Sequence, residues 1–176
     1  MKVSSIPDTQ TAYYRSPIGI LAIKSYKDSI AEILFINTKK GAKVDEEELD
    51  LTLPKSRLLK KCFRQLDEYF EGKRKSFDLH LTFSGSAFQR KVWNELTNIQ
   101  YGKHISYLEL SKRIDNVNAI RAVGSANGSN KICIIVPCHR VIGSDGSMVG
   151  YGGEIWRKKW LLEHEAKFTH GIQTLF

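Results

Sequence analysis

The sequence predicts an α+β fold, a small antiparallel sheet with one helix followed by a helical domain that contains a helix-turn-helix. Three observations point there. Residues 11–36 are short β-branched and aromatic runs broken by turn residues, apolar side chains recur at helical spacing between Leu58 and Phe70, and helix-start signals repeat after Ser84-Gly85.

Thr11–Arg15, Ile18–Lys24 and Ile30–Ile36 read as strands of a meander, separated by Ser16-Pro17 and by Lys27-Asp28-Ser29. The acidic stretch Asp45–Asp50 reads as a solvated loop. Leu58, Leu59, Cys62, Phe63, Leu66, Tyr69 and Phe70 share one face of a helix with Pro54 near its start and Gly72 past its end, which makes Cys62 a core residue. Phe77–Phe83 reads as a further strand, and Ser84-Gly85 as the boundary between domains at 1–84 and 85–176. Beyond it, Ser86-x-x-Gln89 is a capping box for a helix carrying Phe88, Val92, Trp93 and Leu96 on one face. Ser106-x-x-Glu109 opens a second helix, with Tyr107, Leu110, Ser111 and Ile114 in register and a stop at Asp115-Asn116. A third, about Asn118–Asn127, ends at Asn127-Gly128. Two short helices joined by a tight turn read as helix-turn-helix. The last helix, about Glu154–Glu165, offers Trp156, Trp160, Leu161 and Leu162 for packing and Arg157, Lys158 and Lys159 to solvent. Glu163 and Glu165 in its last turn oppose the helix dipole, so they mark either an exposed end or a carboxylate that orients a histidine.

At 176 residues and 41% hydrophobic content the chain can bury an ordinary core. Met1–Gln10 has no signal-type apolar core and no run approaches the ~18 apolar residues of a spanning helix, so no membrane and a cytoplasmic residence are expected. Three cysteines, Cys62, Cys133 and Cys138, fit a reducing compartment with a free thiol better than a disulfide framework. His80, His104, His164 and His170 form no pair with Cys133-x4-Cys138-His139 that would complete a zinc set, and no metal is expected. The net charge is +8, with the larger excess after residue 85, which suits a polyanionic partner.

The chemistry concentrates in Ile134-Ile135-Val136-Pro137-Cys138-His139-Arg140-Val141-Ile142, which reads as an apolar strand ending in a thiol, an imidazole and a guanidinium. A cysteine attacks as thiolate, and an unperturbed thiol with pKa about 8.5 is only a few per cent ionised at neutral pH. Something nearby must activate Cys138. His139 is the obvious base, but neighbours in an extended segment point to opposite faces, so a turn or a bridging water is implied. Pro137 would hold the thiol in a defined place. The other reading is a buried strand with a small cysteine in it. The third helix is odd in another way: Arg121 is followed by Ala122, Gly124, Ser125 and Ala126, a nearly bare face with one long cation. A helical glycine costs roughly 1 kcal/mol against alanine, so either tight helix packing or close approach to a DNA groove should offset it. Lacking the Asn, Gln and multiple Arg of base readers, the helix favours sequence-independent binding.

Together these features resemble the O6-alkylguanine-DNA alkyltransferases. The resemblance rests on Pro137-Cys138-His139-Arg140-Val141, Ile105-Ser106-Tyr107, Arg121-Ala122-Val123-Gly124, Asn130, Trp160-Leu161-Leu162-x-His164-Glu165, and Phe88-Gln89 with Trp93, all in the family's order. It implies a ribonuclease-H-like N-terminal domain and a helical C-terminal domain with the helix-turn-helix and the active site. By resemblance Cys138 is the alkyl acceptor, His139 its water-bridged base, Glu165 the carboxylate orienting His139, and Asn130 a brace for the turn. Tyr107 crowds a phosphate and donates to the extruded base, and Arg121 takes the base's place in the stack. Ser106, Ala122, Gly124 and Ser125 join the DNA face, and Ser144 lies near the flipped base. Tyr151-Gly152-Gly153 corresponds to the pocket loop, where Glu154 replaces a glycine of some members. The implied activity is irreversible, single-turnover transfer from O6-alkylguanine in duplex DNA, with O4-alkylthymine left open, by a monomer without a cofactor. Some members hold zinc in the N-terminal domain, but the absence of cysteine before Cys62 predicts no such site. Two other classes share the motif set. A cysteine hydrolase would turn over an ester or amide, and a thiol-sensing helix-turn-helix regulator would bind a specific operator as a dimer.

Overall fold

The structure, a computed structural model, describes residues 8–170, so the outer ends of both expected domains and the first residues, where no signal segment is expected, lie outside it. β1 (Thr9–Ser16), β2 (Gly19–Tyr26) and β3 (Ser29–Phe35) form an antiparallel sheet in that order. Alternation fixes its inner face, with Ala12 and Tyr14 from β1, Leu21 and Ile23 from β2 and Ile33 and Phe35 from β3 turned inward. Helix α1 (Arg57–Phe70) covers that face with Leu59, Cys62, Phe63, Leu66 and Tyr69, and Tyr14 donates to Asp67 at 2.8 Å. Cys62 is fully buried, as its place on the apolar stripe predicts.

The segment 77–83 departs from the strand expected there. Its pairing with the sheet is one isolated parallel bridge, Leu81 to Ile30. Gln65 from α1 takes both backbone groups of Asp78, accepting from its N–H at 2.9 Å and donating to its carbonyl at 3.1 Å, so a side chain substitutes for a neighbouring strand. The same free edge of β3 takes a second bridge, Ile33 to Ile132, with Ile33 N–H donating to Lys131 at 2.7 Å and Cys133 N–H to Ile33 at 2.9 Å. The sheet thereby fixes the segment that carries the cysteines.

After residue 84 the architecture is helical. The capping box of Ser86 and Gln89 starts α2 (Ala87–Leu96), and Trp93 donates its indole N–H to Ala126 O at 2.8 Å, tying α2 to α4 (Ile120–Gly128). Ser106 caps α3 (Tyr107–Arg113) through Glu109 N–H at 3.0 Å. Just before it, β4 (Ile105–Ser106) pairs in parallel with β5 (Val141–Ile142). Asp115, at φ 57°, makes the turn from α3. The helix expected at about Asn118 begins as a single 3-10 turn, Val117–Ala119, with no side chain capping its start.

Three expectations about α5 (Ile155–His170) are corrected. The helix runs past Glu165, so that carboxylate is interior to the helix rather than in a frayed last turn, and Lys158, expected at the surface, is fully buried. Lys158, Leu161 or Leu162, and Glu165 recur at i, i+3/i+4, i+7, a periodicity that outweighs the polarity of the lysine. Trp156, expected to pack inward, is 51% exposed and lies beside Arg157. The apolar core is continuous from the sheet through α1 to α2, α4 and α5.

Candidate active site

The run expected to be an apolar strand is a pinned turn. Ile134 sits at φ 72°, costly for a β-branched residue, and Cys138–Arg140 form a 3-10 turn after Pro137, leaving only Val141–Ile142 as strand. Asn130, two residues beyond α4, holds this conformation. Its carbonyl oxygen accepts from Ile132 N–H at 2.9 Å, while its amide donates to Val136 O at 2.8 Å and to Cys138 Sγ at 3.1 Å. The last contact favours the thiolate. Burial dominates, however, and pushes the Cys138 thiol up despite Asn130 and the charges of Lys158 and Lys40. A desolvated thiolate needs more compensation than these groups supply, which agrees with the expectation that something nearby must activate Cys138. Deprotonation has to accompany the reaction.

Behind the thiol lies the relay. His139 Nε2 faces Glu165 Oε1 at 2.7 Å. Because an ionised carboxylate only accepts, Nε2 carries the proton and Nδ1 keeps its lone pair. Nδ1 is buried and has no hydrogen-bond partner among the described residues. No side-chain hydrogen bond joins it to Cys138 there, as the geometry of adjacent residues predicts. Burial depresses His139, opposed by Glu165, so the ring is a neutral base at pH 7. Glu165 accepts five hydrogen bonds, from Tyr69 Oη (2.7 Å), His139 Nε2 (2.7 Å), Arg140 Nε (2.8 Å) and Nη2 (3.0 Å), and Gly102 N–H (3.2 Å). Burial raises its carboxyl, but His139 and Arg140 outweigh that and hold it far below the usual carboxylate range.

Two functional side chains escaped sequence reasoning. Lys158 donates to Val141 O at 2.6 Å and Val149 O at 2.9 Å, lies over the Tyr107 ring, and is pulled down to about 8 by burial against the opposing effect of Cys138. Tyr69 reaches Glu165 from α1 across the whole core. The helical period of both segments marked these positions as inward-facing; what they face has no sequence signal.

The thiol, 5% exposed, borders a cavity of about 10 Å³, room for about one water, lined by Phe35, Asn127, Asn130, Cys133, Cys138 and the loop Gly150–Gly153. As it stands, the cavity admits nothing larger than a water. Tyr107, half-buried, donates its hydroxyl to Val149 O at 2.9 Å. On α4, Arg121, Ala122 and Ser125 are exposed and Gly124 is partly so. A Cβ at Gly124 would meet only the Tyr107 ring, at 3.8 Å, an ordinary contact, so packing within the protein does not account for this glycine. Ser144 is exposed in the turn after β5, and Ser106 is occupied as the α3 cap. Cys138, His139, Glu165, Asn130 and Tyr107 are thus brought together, while Arg121, Ala122, Ser125 and Ser144 are surface groups.

Comparison with known proteins agrees with this architecture. Residues 10–83 match the ribonuclease-like domain of 6-O-methylguanine DNA methyltransferase, and residues 87–167 match its DNA binding domain. The methylated-DNA–protein-cysteine methyltransferase of Methanosarcina acetivorans is 40% identical over 154 residues, 88% of this chain and 96% of its own length. The crystal structure of the Mycobacterium tuberculosis O6-methylguanine methyltransferase superposes with a TM-score of 0.79 at 36% identity, covering 93% of this chain and 96% of that one. The structure of Mycobacterium tuberculosis OGT in complex with DNA gives 0.78 at 37%, covering 90% and 93%. With both halves matched in order and nearly full length shared, the chain belongs to the 6-O-methylguanine DNA methyltransferase family.

Proposed function

We propose that this protein repairs O6-alkylguanine in duplex DNA by moving the alkyl group irreversibly onto its own Cys138. The observation that carries the residue-level reading is the Asn130–Cys138 contact beside a neutral His139 whose free Nδ1 is backed by Glu165. His139 takes the thiol proton through a water. Sulfur then attacks the alkyl carbon in line: the S–C bond forms as the C–O6 bond breaks, the electron pair leaves with guanine, and Tyr107 supplies a proton to the base. The product is a thioether with no leaving step, so each molecule acts once. Extrusion of the nucleotide costs a few kcal/mol, offset by phosphate contacts and by Arg121 entering the stack. Ser106, Ala122, Gly124 and Ser125 face the backbone, with Ser144 beside the flipped base. The bare surface of α4 supports damage recognition without sequence preference. The chain acts as a monomer, with 1–84 as the ribonuclease-like unit and 85–176 as the DNA-binding and reacting unit, a division that the two separate family matches support. Among the described residues no helix is long and apolar enough to cross a membrane.

Intact-mass spectrometry after mixing with a duplex bearing one O6-methylguanine tests the proposal. A single methyl gain on the peptide carrying Cys138 is expected; repeated turnover with an unmodified thiol points instead to a hydrolase. Arg121→Ala should slow repair in duplex at least tenfold while reaction with free O6-benzylguanine changes little, since only the duplex reaction includes extrusion. Equal losses would remove Arg121 from that role.

A further inference from the structure

An exposed cation from the opposite half of the chain borders the cavity beside Cys138. Lys40 lies in the loop after β3 and lines the cavity with Phe35, Cys133, Cys138 and Gly150–Gly153. Its stem rests on the pocket loop, so close that a Cβ on Gly152 would approach its Cδ, Cε and Nζ to 2.5, 2.6 and 3.0 Å. The loop presenting it is pinned: Asn37 N–H donates to Ala42 O at 2.9 Å, Thr38 Oγ1 donates to Phe35 O at 2.8 Å, and Gly41 N–H donates to Thr38 Oγ1 at 3.1 Å. Among the described residues the Lys40 ammonium has no hydrogen-bond or ion-pair partner, and no carboxylate lines the cavity. Its charge nonetheless reaches both thiols, lowering Cys138 and Cys133 against the rise that burial imposes.

An unpaired ammonium at the rim of an alkyl pocket selects on charge. The geometry points to Lys40 as a specificity-determining residue that admits O6 substituents ending in a carboxylate, the O6-carboxyalkylguanines. This rests on the transfer reaction proposed above. A carboxylate one carbon from the reacting centre approaches the developing thiolate, and two like charges in a desolvated site repel strongly. The Lys40 ammonium is placed to offset one of the two charges. The step is otherwise the same: sulfur bonds to the methylene carbon, that carbon leaves O6, guanine departs with the electron pair, and the thiol proton goes to His139.

The test uses duplexes bearing one O6-carboxymethylguanine or its neutral isostere, O6-carbamoylmethylguanine, and reads the ratio of their single-turnover rates within each protein. Lys40→Gln is expected to lower that ratio roughly tenfold relative to wild type, the scale of one charge-assisted contact, and Lys40→Arg to preserve it. An unchanged ratio in Lys40→Gln, including parallel slowing of both substrates, overturns the assignment. Transfer from O6-methylguanine is measured in the same wild-type preparation. Its failure sinks the transfer reading itself, whereas its success with an unchanged ratio sinks Lys40 alone.

Discussion

Glu165→Gln is expected to unfold at markedly lower urea than wild type, by about 3–5 kcal/mol, and to transfer alkyl groups at least a hundredfold more slowly. The stability figure is that of removing one partner from a buried ion pair; the rate figure is that of losing general-base catalysis. Glu165 is fully buried and receives five donors, two of them from the buried guanidinium of Arg140. A carboxamide accepts at one oxygen only and brings N–H groups of its own, leaving Arg140 charged and uncompensated. His139 in turn loses the acceptor that fixes its tautomer, so Nδ1 is no longer reliably the basic nitrogen. The pH dependence follows the same logic. The folded-state pKa of Glu165 is depressed, so its stabilisation is complete above the ordinary glutamate range and is lost as pH falls through the folded value. His139 adds to the loss: its folded pKa is also depressed, so below the ordinary histidine range the unfolded chain binds a proton that the folded one refuses. Urea titrations from about pH 5 to 2, where Glu165 titrates in the unfolded chain but not in the folded one, should show a steeper fall for wild type than for Glu165→Gln; parallel curves would contradict this. Tyr69→Phe removes one neutral donor and should cost only about 1 kcal/mol with the relay kept.

Lys158→Met is expected to keep the fold and slow transfer roughly tenfold to a hundredfold, the range of a pKa-tuning contribution. Methionine fills the volume without a buried charge, and replacing such charges by apolar groups is often neutral for stability. Two functions go with the amine: the positive charge that favours the Cys138 thiolate, and the bonds that hold Val141 O and Val149 O. The sign of its titration is opposite to that of Glu165. With a folded pKa of about 8 against 10.5, the penalty for burying charge is complete below the folded value and relieved as pH rises from about 8 to 10.5, where the unfolded chain alone keeps the proton. Wild type should therefore gain stability relative to Lys158→Met between pH 8 and 10. Comparing the two proteins cancels the thiols and phenols that titrate nearby. A flat difference, or unimpaired transfer by the variant, would remove Lys158 from the site.

The helices were legible because their caps and apolar stripes are local. Ser86, Gln89 and Ser106 act where the sequence places them, and Cys62 packs where its stripe requires. The segments that fail to be strands, 77–83 and 134–140, are held by side chains distant in sequence, Gln65 and Asn130, whose choice of backbone partner no periodicity encodes. The thiol, imidazole and carboxylate were readable from motifs, yet the ionisation of Cys138 was not. It depends on how deeply the turn is covered, and depth comes from β3 and α5 rather than from the motif. Lys158 shows the same limit: its letter suggests solvent, its helical phase suggests interior, and the interior wins because two carbonyls and a nearby thiol offer it partners.

Val149 oxygen receives both the Tyr107 hydroxyl and the Lys158 ammonium. Two moorings on a single atom tie the phenol and the ammonium to the backbone just before Gly150–Gly153, so any displacement of that carbonyl frees both donors together. Under the transfer reaction proposed above, admission of the base and release of its proton donor are then one event, a safeguard against spending an irreplaceable sulfur on the wrong target.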